Sequence, residues 1–393
     1  MLDYLLDSDK QELRVKGLRF ILECVISAFT QEREQAFSRR AADWEKKIAE
    51  LSPDRVYLDA QCALRTALYH KLEIPVVLVE TMPLSLYDPW VPPFTSGLIP
   101  KQTGISRLGI RLAWEKIVIA RKIRNLFFSM LLCRQDYFSL YKRLFLECGF
   151  PFEEKIDWRR PFIIGIKESK ILSMNPSSLD FPRKYPPNCQ YAPSRVDLNR
   201  EDPMLNRRYA RVMEEVCLQK QQRPDTKIIY CFSSTVMGFE KRSKIIFMKI
   251  RDICLRNPQF VFILSVGKYH NTSYLLPCPS NLYVFQQVPQ LHLLSYCDLM
   301  ITSGGMNSIA ECIEKEVPML VCPLSLKSDQ LGNSARVVYH GLGLRARIKL
   351  DSSRTIEKRI VQLFENYATF KRNLSMMRTK ILAESTAINT EVI

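Results

Sequence analysis

No C-x-x-C pair occurs in this chain, and its 12 cysteines are scattered singly among 393 residues. There are only four histidines, none at ligand-like spacing from the cysteines. That argues against a zinc site and against a disulfide framework, and points to a reducing cytoplasm. The acidic start, Met1 to Asp7, is not followed by a signal-type apolar core. The longest apolar run, near Leu126 to Cys133, is far too short to span a bilayer. Zinc-finger spacing, aromatic-basic RNA motifs and uninterrupted basic tracts are also missing, which argues against a nucleic-acid partner.

What the composition does contain is positive charge and ordinary core material. Lys and Arg number 57 against 41 Asp and Glu, a formal net charge of +16. Such a balance attracts phosphorylated ligands or anionic lipid unless it is simply spread over a solvated surface. The apolar fraction of 47% is that of a globular protein, and the length suits about two domains, each with its own core.

The stretch from Gln287 to Arg347 is the most informative. A short apolar strand, Leu299 to Thr302, runs into Ser303-Gly304-Gly305, and a helix opens at Met306 with Asn307 and Ser308 in its first turn. Glycine lets the backbone approach a ligand closely, and a helix start offers unpaired N–H groups with partial positive charge. Together they make a seat for a phosphate or diphosphate. Glu311, one turn further on, can accept hydrogen bonds from sugar hydroxyls beside that phosphate. A second strand, Met319 to Cys322, leads to Ser328-Asp329-Gln330 at another helix start. Strand-to-helix turns of this kind, at the carboxyl ends of parallel strands, form nucleotide-sugar sites.

These elements resemble the donor-binding region of the GT-B UDP-glycosyltransferases, the family of the macrolide, flavonoid and carotenoid glucosyltransferases. Its pattern of VPQ, T-H-G-G, N-S/T, E-A, G-V-P, D-Q and N-A stands here as Val288-Pro289-Gln290, Thr302-Ser303-Gly304-Gly305, Asn307-Ser308, Glu311-Cys312, Val317-Pro318, Asp329-Gln330 and Asn333-Ser334. The resemblance implies an α/β fold of two Rossmann-like domains whose parallel sheets face each other across a cleft. It makes residues 1–195 the acceptor-side domain, 204–370 the donor-binding domain and 371–393 a terminal helix that packs back on the first domain. It also assigns Gly304, Gly305, Asn307 and Ser308 to the diphosphate, Glu311 to the ribose, and Asp329 and Gln330 to the transferred sugar, with Gln290 near the catalytic base. Each has a plainer reading as a turn, a cap or an exposed polar residue.

The second half alternates strand and helix, with apolar strands expected at Lys227–Phe232, Gln259–Ser265, Asn281–Phe285, Asp298–Thr302 and Pro318–Cys322. Near-continuous apolar strands belong in a parallel sheet covered on both faces. The proline-rich segment Pro182 to Pro203 reads as the interdomain linker. Upstream, Asp54–Asp59 reads as a strand, Cys62–Leu72 as a helix and Pro75–Val79 as the next strand, again like the family's first domain. Helices are expected over Glu12–Phe29 and Glu32–Glu50, where the family instead begins with a strand and a histidine-bearing turn. The expectation is a reduced or truncated first domain that lacks that strand.

Three positions depart from the family. Ser303 replaces a histidine at the phosphates and keeps one hydrogen bond without charge assistance. Gln287 replaces a tryptophan that stacks on the uracil, and an amide stacks less well than an indole. Ser233-Ser234-Thr235 stands in place of S-x-G-T.

The family's inverting chemistry uses a histidine base oriented by an aspartate. Asp59 matches the aspartate, or is merely a strand-end residue starting a turn. The histidine itself is missing: His70 reads as structural, and His270, His292 and His340 lie in the donor half.

The segment from Arg107 to Phe145 is basic and bulky, with Ile119, Ile123, Phe127 and Leu131 on one i+4 row and Arg111, Lys116, Arg121, Lys122 and Arg124 supplying charge. Core packing against the acceptor cleft is one reading; docking on an anionic membrane surface is the other.

The expected activity is sugar transfer from a UDP-sugar to a hydroxyl of a hydrophobic small molecule, with no metal and no cofactor beyond that co-substrate. The alternatives are a catalytically inactive nucleotide-binding homologue and a peripheral membrane glycosyltransferase with a lipid acceptor. The expected location is cytoplasmic, with or without attachment to the membrane.

Overall fold

Apolar strands and amphipathic helices alternate through most of the chain in the computed structural model, which describes residues 32–161, 165–184, 186–192, 196–200, 207–232, 240–267 and 271–386. The expected helix over Glu12–Phe29, Ser233-Ser234-Thr235 and His270 lie outside the described residues. The chain divides into two units. One holds residues 1–81, 111–172 and 185–190; the other holds residues 82–110, 173–184 and 191–393.

The first unit opens with α1 (Glu32–Leu51), β1 (Val56–Asp59), a 3-10 turn over Ala60–Arg65, α2 (Thr66–Lys71) and β2 (Val76–Glu80). The single helix expected over Cys62–Leu72 is thus a tight turn kinked at Cys62, followed by a short α-helix. Strands β1 and β2 pair in parallel, with Leu58 opposite Leu78. Next come α3 (Gly104–Leu131), whose first turns are counted with the second unit, and α4 (Tyr137–Glu147). Two strands that sequence patterning missed, β3 (Lys170–Ser173) and β4 (Cys189–Tyr191), complete a four-stranded sheet in the order β1-β2-β3-β4. The second of them corrects the expected linker: part of the Pro182–Pro203 segment is sheet.

The second unit continues with α5 (Arg207–Gln222), β5 (Lys227–Phe232), α6 (Glu240–Arg256), β6 (Phe260–Ser265), β7 (Leu282–Phe285) and α7 (Gln290–Leu294). It ends with β8 (Leu299–Thr302), α8 (Met306–Glu314), β9 (Met319–Val321), α9 (Gln330–Tyr339), β10 (Gly343–Arg345), α10 (Ser353–Glu365) and α11 (Tyr367–Thr386). The strands form a six-stranded sheet in the order β10-β9-β8-β5-β6-β7, with every neighbouring pair parallel. Strand β10 was not anticipated; its three residues are too few to show a pattern.

The side-chain period of two sorts the core into two layers. Ile228, Tyr230, Val261, Ile263, Met300 and Met319 point into one, against α5, α8 and α11. Ile229, Cys231, Phe262, Leu264, Ile301 and Leu320 point into the other, against α6 and α10. Burial on both faces is why these strands read as unbroken apolar runs.

Segments from the first half of the sequence are built into this second unit. The backbone of Phe94 lies against α9 at Gly332, where a Cβ would come within 2.1 Å of its carbonyl oxygen, and Gly332 N–H donates to that oxygen at 2.9 Å. Asp180 receives Arg336 at 2.6 Å and Arg183 at 3.0 Å. Both backbone N–H groups of Ser177 and Ser178 donate to Glu384 on α11. Residues 173–184, which the expected 1–195 boundary assigned to the first domain, therefore belong by their contacts to the second unit.

Candidate functional site

The turn after β8 is shaped by two glycines with different duties. Gly304 has φ +88°, a conformation that L side chains rarely adopt, and a Cβ there would meet Val321 Cγ1 at 2.7 Å. Gly305 has an ordinary φ of −66°, and a Cβ there would meet nothing within 4 Å. It precedes α8 as the N-cap and contributes no side-chain cap. The open ground beside Gly305 and the uncapped helix start leave room for an anion at the N–H groups of the first turn. Ser303 and Ser308 are buried beside this turn, while Asn307 is exposed.

A chain of hydrogen bonds runs along the carboxyl ends of the strands. Tyr230 OH donates to Gln290 Oε1 at 2.9 Å, and Gln290 Nε2 donates to Glu311 Oε2 at 2.7 Å. Burial pushes the Tyr230 phenol well above its ordinary value, so it stays protonated and donates. That donation fixes the amide orientation of Gln290, whose Nε2 also lies 3.4 Å from Ser308 Oγ. Glu311, 3% exposed, takes Arg200 Nη1 on its other oxygen at 2.6 Å. A buried carboxylate held by two donors and bordering an anion seat can exchange those donors for sugar hydroxyls.

The turn after β9 is organised by α9. Gln330 Oε1 accepts from both Leu324 and Ser325 N–H at 2.8 Å, so its carbonyl is committed to the backbone and only its Nε2 remains for a ligand. Asn333 is fully buried and donates to Gly304 O at 2.9 Å and to Asp329 Oδ2 at 2.8 Å. It ties the glycine turn to the Asp329 turn. Burial raises the Asp329 carboxyl and the Asn333 bond opposes that rise, with a net upward shift.

Gln290, Ser303, Gly304, Gly305, Ser308, Glu311, Asp329 and Gln330 thus gather at one edge of the second unit. Gln287 is exposed in the loop between β7 and α7. Tyr230 and Arg200 were missed by sequence reasoning, since a strand tyrosine and a linker arginine carry no local mark of a site. Asn333 is marked in the sequence only as part of the Asn333-Ser334 motif element.

Asp59 lies in the first unit, exposed at the end of β1, where its Oδ1 accepts from Gln61 N–H at 2.8 Å and caps the 3-10 turn. The described histidines have other partners. His70 packs edge-on to Phe150 with ring centroids 5.0 Å apart. His292 Nδ1 meets Tyr209 OH at 3.0 Å, and His340 Nε2 meets the carbonyls of Leu179 and Asp180 at 3.1 Å.

Residues 271–383, which include the glycine turn, Glu311 and the Asp329 turn, match the family model described as UDP-glucoronosyl and UDP-glucosyl transferase. Through this region the chain is similar to the UDP-glycosyltransferase family. NDP-glycosyltransferase YjiC of Bacillus subtilis (strain 168) is 37% identical over 98 residues, covering 25% of this chain and 24% of that protein. Zeaxanthin glucosyltransferase of Pseudescherichia vulneris is 28% identical over 212 residues, covering 51% of this chain and 44% of that protein. The aligned stretch spans only 24% of the first of these relatives and 44% of the second.

Solved structures extend the likeness to nearly the whole chain. The calicheamicin glycosyltransferase CalG4 matches 92% of this chain and 80% of its own, with a TM-score of 0.58 at 13% identity. Spinosyn rhamnosyltransferase SpnG complexed with thymidine diphosphate matches 96% of this chain and 82% of its own, with a TM-score of 0.57 at 16% identity. At such identities the likeness speaks for the fold, which is that of the GT-B glycosyltransferases.

Proposed function

We propose that this chain is a UDP-glycosyltransferase that binds a UDP-sugar on its second unit and transfers the sugar to a hydroxyl of a hydrophobic small molecule with inversion. The observation that carries the reading is Glu311, buried one turn beyond the uncapped start of α8 and held by Gln290 and Arg200, two residues from outside that helix. The diphosphate would lie over Gly305, Asn307 and Ser308, its charge met by the N–H groups and dipole of α8 instead of a bound cation. Glu311 would accept from the ribose hydroxyls, and Asp329 and the Gln330 Nε2 would face the sugar. Thymidine and uridine share the same pattern of ring carbonyls and N–H, so the thymidine diphosphate bound to SpnG supports a pyrimidine nucleotide here. In the reaction the acceptor hydroxyl loses its proton to a base, its oxygen attacks the anomeric carbon, and UDP leaves with the electrons of the broken bond.

Calorimetry of the full chain with uridine diphosphate tests the binding step. Binding in the micromolar-to-millimolar range is expected, weakened roughly tenfold or more by Glu311→Ala, since a hydrogen bond to a charged group contributes about 1.5–3 kcal/mol. No binding of uridine or thymidine diphosphate would remove the proposal.

A second reading is a chain that binds the nucleotide without turning it over: among the described residues, His70, His292 and His340 are all engaged in packing or hydrogen bonds. Product analysis after long incubation with a UDP-glucose donor and hydroxylated aromatic or terpenoid acceptors separates the two.

A further inference from the structure

Helix α3 is anchored through an unusual face. Ile110, Trp114 and Arg121 are its buried residues, and Arg121 donates to the carbonyls of Trp158 at 2.8 Å and Arg160 at 2.5 Å. Burial lowers the Arg121 guanidinium to about 10, so it keeps its proton at neutral pH. The opposite face carries Leu112, Ile119, Ile123, Leu126, Phe127 and Met130, each more than half exposed. At 3.6 residues per turn these positions form one stripe about 27 Å long. The core-packing expectation for Ile119, Ile123 and Phe127 is therefore corrected: the apolar row faces outward and the arginine inward.

Scattered exposed hydrophobics are ordinary, but a continuous stripe along five turns is a contact surface. The charge around it selects the partner. Arg111, Lys116, Lys122 and Arg124 are exposed on the same helix. Its one acid, Glu115, is turned to Arg159 at 3.1 Å. A second copy of the chain packed on this stripe would set like charges against each other. An anionic lipid surface supplies both the apolar layer and the opposite charge.

We infer that α3 is a membrane-docking helix that lies along an anionic bilayer with its stripe at the headgroup–acyl boundary and Arg111, Lys116, Lys122 and Arg124 against the lipid phosphates. The surface does not depend on the donor site. On the glycosyltransferase reading, it would bring the enzyme to acceptors dissolved in the bilayer.

Sedimentation of the full chain with phosphatidylglycerol vesicles, and in parallel with phosphatidylcholine vesicles, tests this. The chain should pellet with phosphatidylglycerol at low salt, be released as salt rises, and remain in solution with phosphatidylcholine. The combined variant Lys116→Gln, Lys122→Gln, Arg124→Gln should lower the partition coefficient by roughly a hundredfold, about fivefold for each basic residue. The variant Ile119→Ser, Ile123→Ser, Phe127→Ser should pellet poorly at every salt concentration. All these residues are exposed, so thermal unfolding should be unchanged in both variants. A chain that stays in solution with phosphatidylglycerol at low salt overturns the inference. So does equal pelleting with both lipids, or a dimer that dissociates on Ile123→Ser in a protein that ignores vesicles. Uridine diphosphate calorimetry on the same preparation keeps this outcome separate from that of the donor site.

Discussion

Arg200 Nη1 lies 2.6 Å from Glu311 Oε1, which joins the segment preceding α5 to the buried carboxylate of the candidate site. If the ribose hydroxyls take the Arg200 position on Glu311, the nucleotide displaces that guanidinium. The Arg200 side chain is 38% exposed, so the pair contributes no more than about 1 kcal/mol. Arg200→Ala should therefore tighten uridine diphosphate binding by up to about fivefold in calorimetry. Weaker binding by that variant would mean that the guanidinium swings onto the phosphates.

The two glycines of the β8 turn should respond differently to the same change. Gly304→Ala forces a side chain into a positive φ, costing about 1–2 kcal/mol, and against Val321, adding about 1–3 kcal/mol. Its thermal midpoint should fall. Gly305→Ala has ordinary φ and open space, so its midpoint should match the parent while nucleotide affinity drops if the diphosphate approaches that backbone. Equal midpoints for the two variants would contradict the turn geometry.

Gln330 should matter to stability as well as to ligand. Gln330→Ala strips the acceptor from the N–H groups of Leu324 and Ser325, and each buried donor left unsatisfied costs about 1–3 kcal/mol. Urea denaturation should show a clear loss of stability without ligand. An unchanged midpoint would return Gln330 to a purely ligand-binding role.

A pH dependence follows from His340. Burial is the largest cause of its lowered pKa, and nearby Arg336 and Lys380 act in the same direction. The unfolded chain then takes up this proton first. The stabilisation is fully present above the ordinary value of 6.5 and is lost as pH falls from there to the folded pKa. Replacing the ring by an amide, His340→Gln, should flatten the fall in stability as pH drops below the ordinary histidine value of 6.5. Asp180 titrates in a separate window. Burial would raise its carboxyl, but Arg336 and Arg183 outweigh that and hold it below 3.8, so its contribution disappears only in more acidic solution. A His340→Gln profile parallel to that of the parent would refute the assignment.

The strands of the second unit were legible because their signal is local. Lys227–Phe232 was read to the residue, and the strands ending at Ser265, Phe285 and Thr302 began within one residue of their expected starts. The β8–α8 turn was legible for the same reason, since glycine, helix start and Glu311 fall within one short window. The short strands β3, β4 and β10 were not, because each becomes a strand only by pairing with a neighbour supplied from elsewhere.

Residue order alone determined that a parallel sheet is buried on both faces and that a Gly-Gly turn opening a helix stands at its edge. Unbroken apolar runs and a Gly-Gly helix start allow little else. Tertiary structure decided which partners those groups have. Glu311 meets Arg200 and Gln290 from separate segments, and Gln330 turns its carbonyl to a loop. Helix α3 buries Trp114 and Arg121 while exposing Ile119 and Ile123. Both faces of α3 are apolar enough to pack, so its periodicity could not choose between them. The choice was made by the carbonyls of Trp158 and Arg160, which can accept from a buried guanidinium only on the face where they stand.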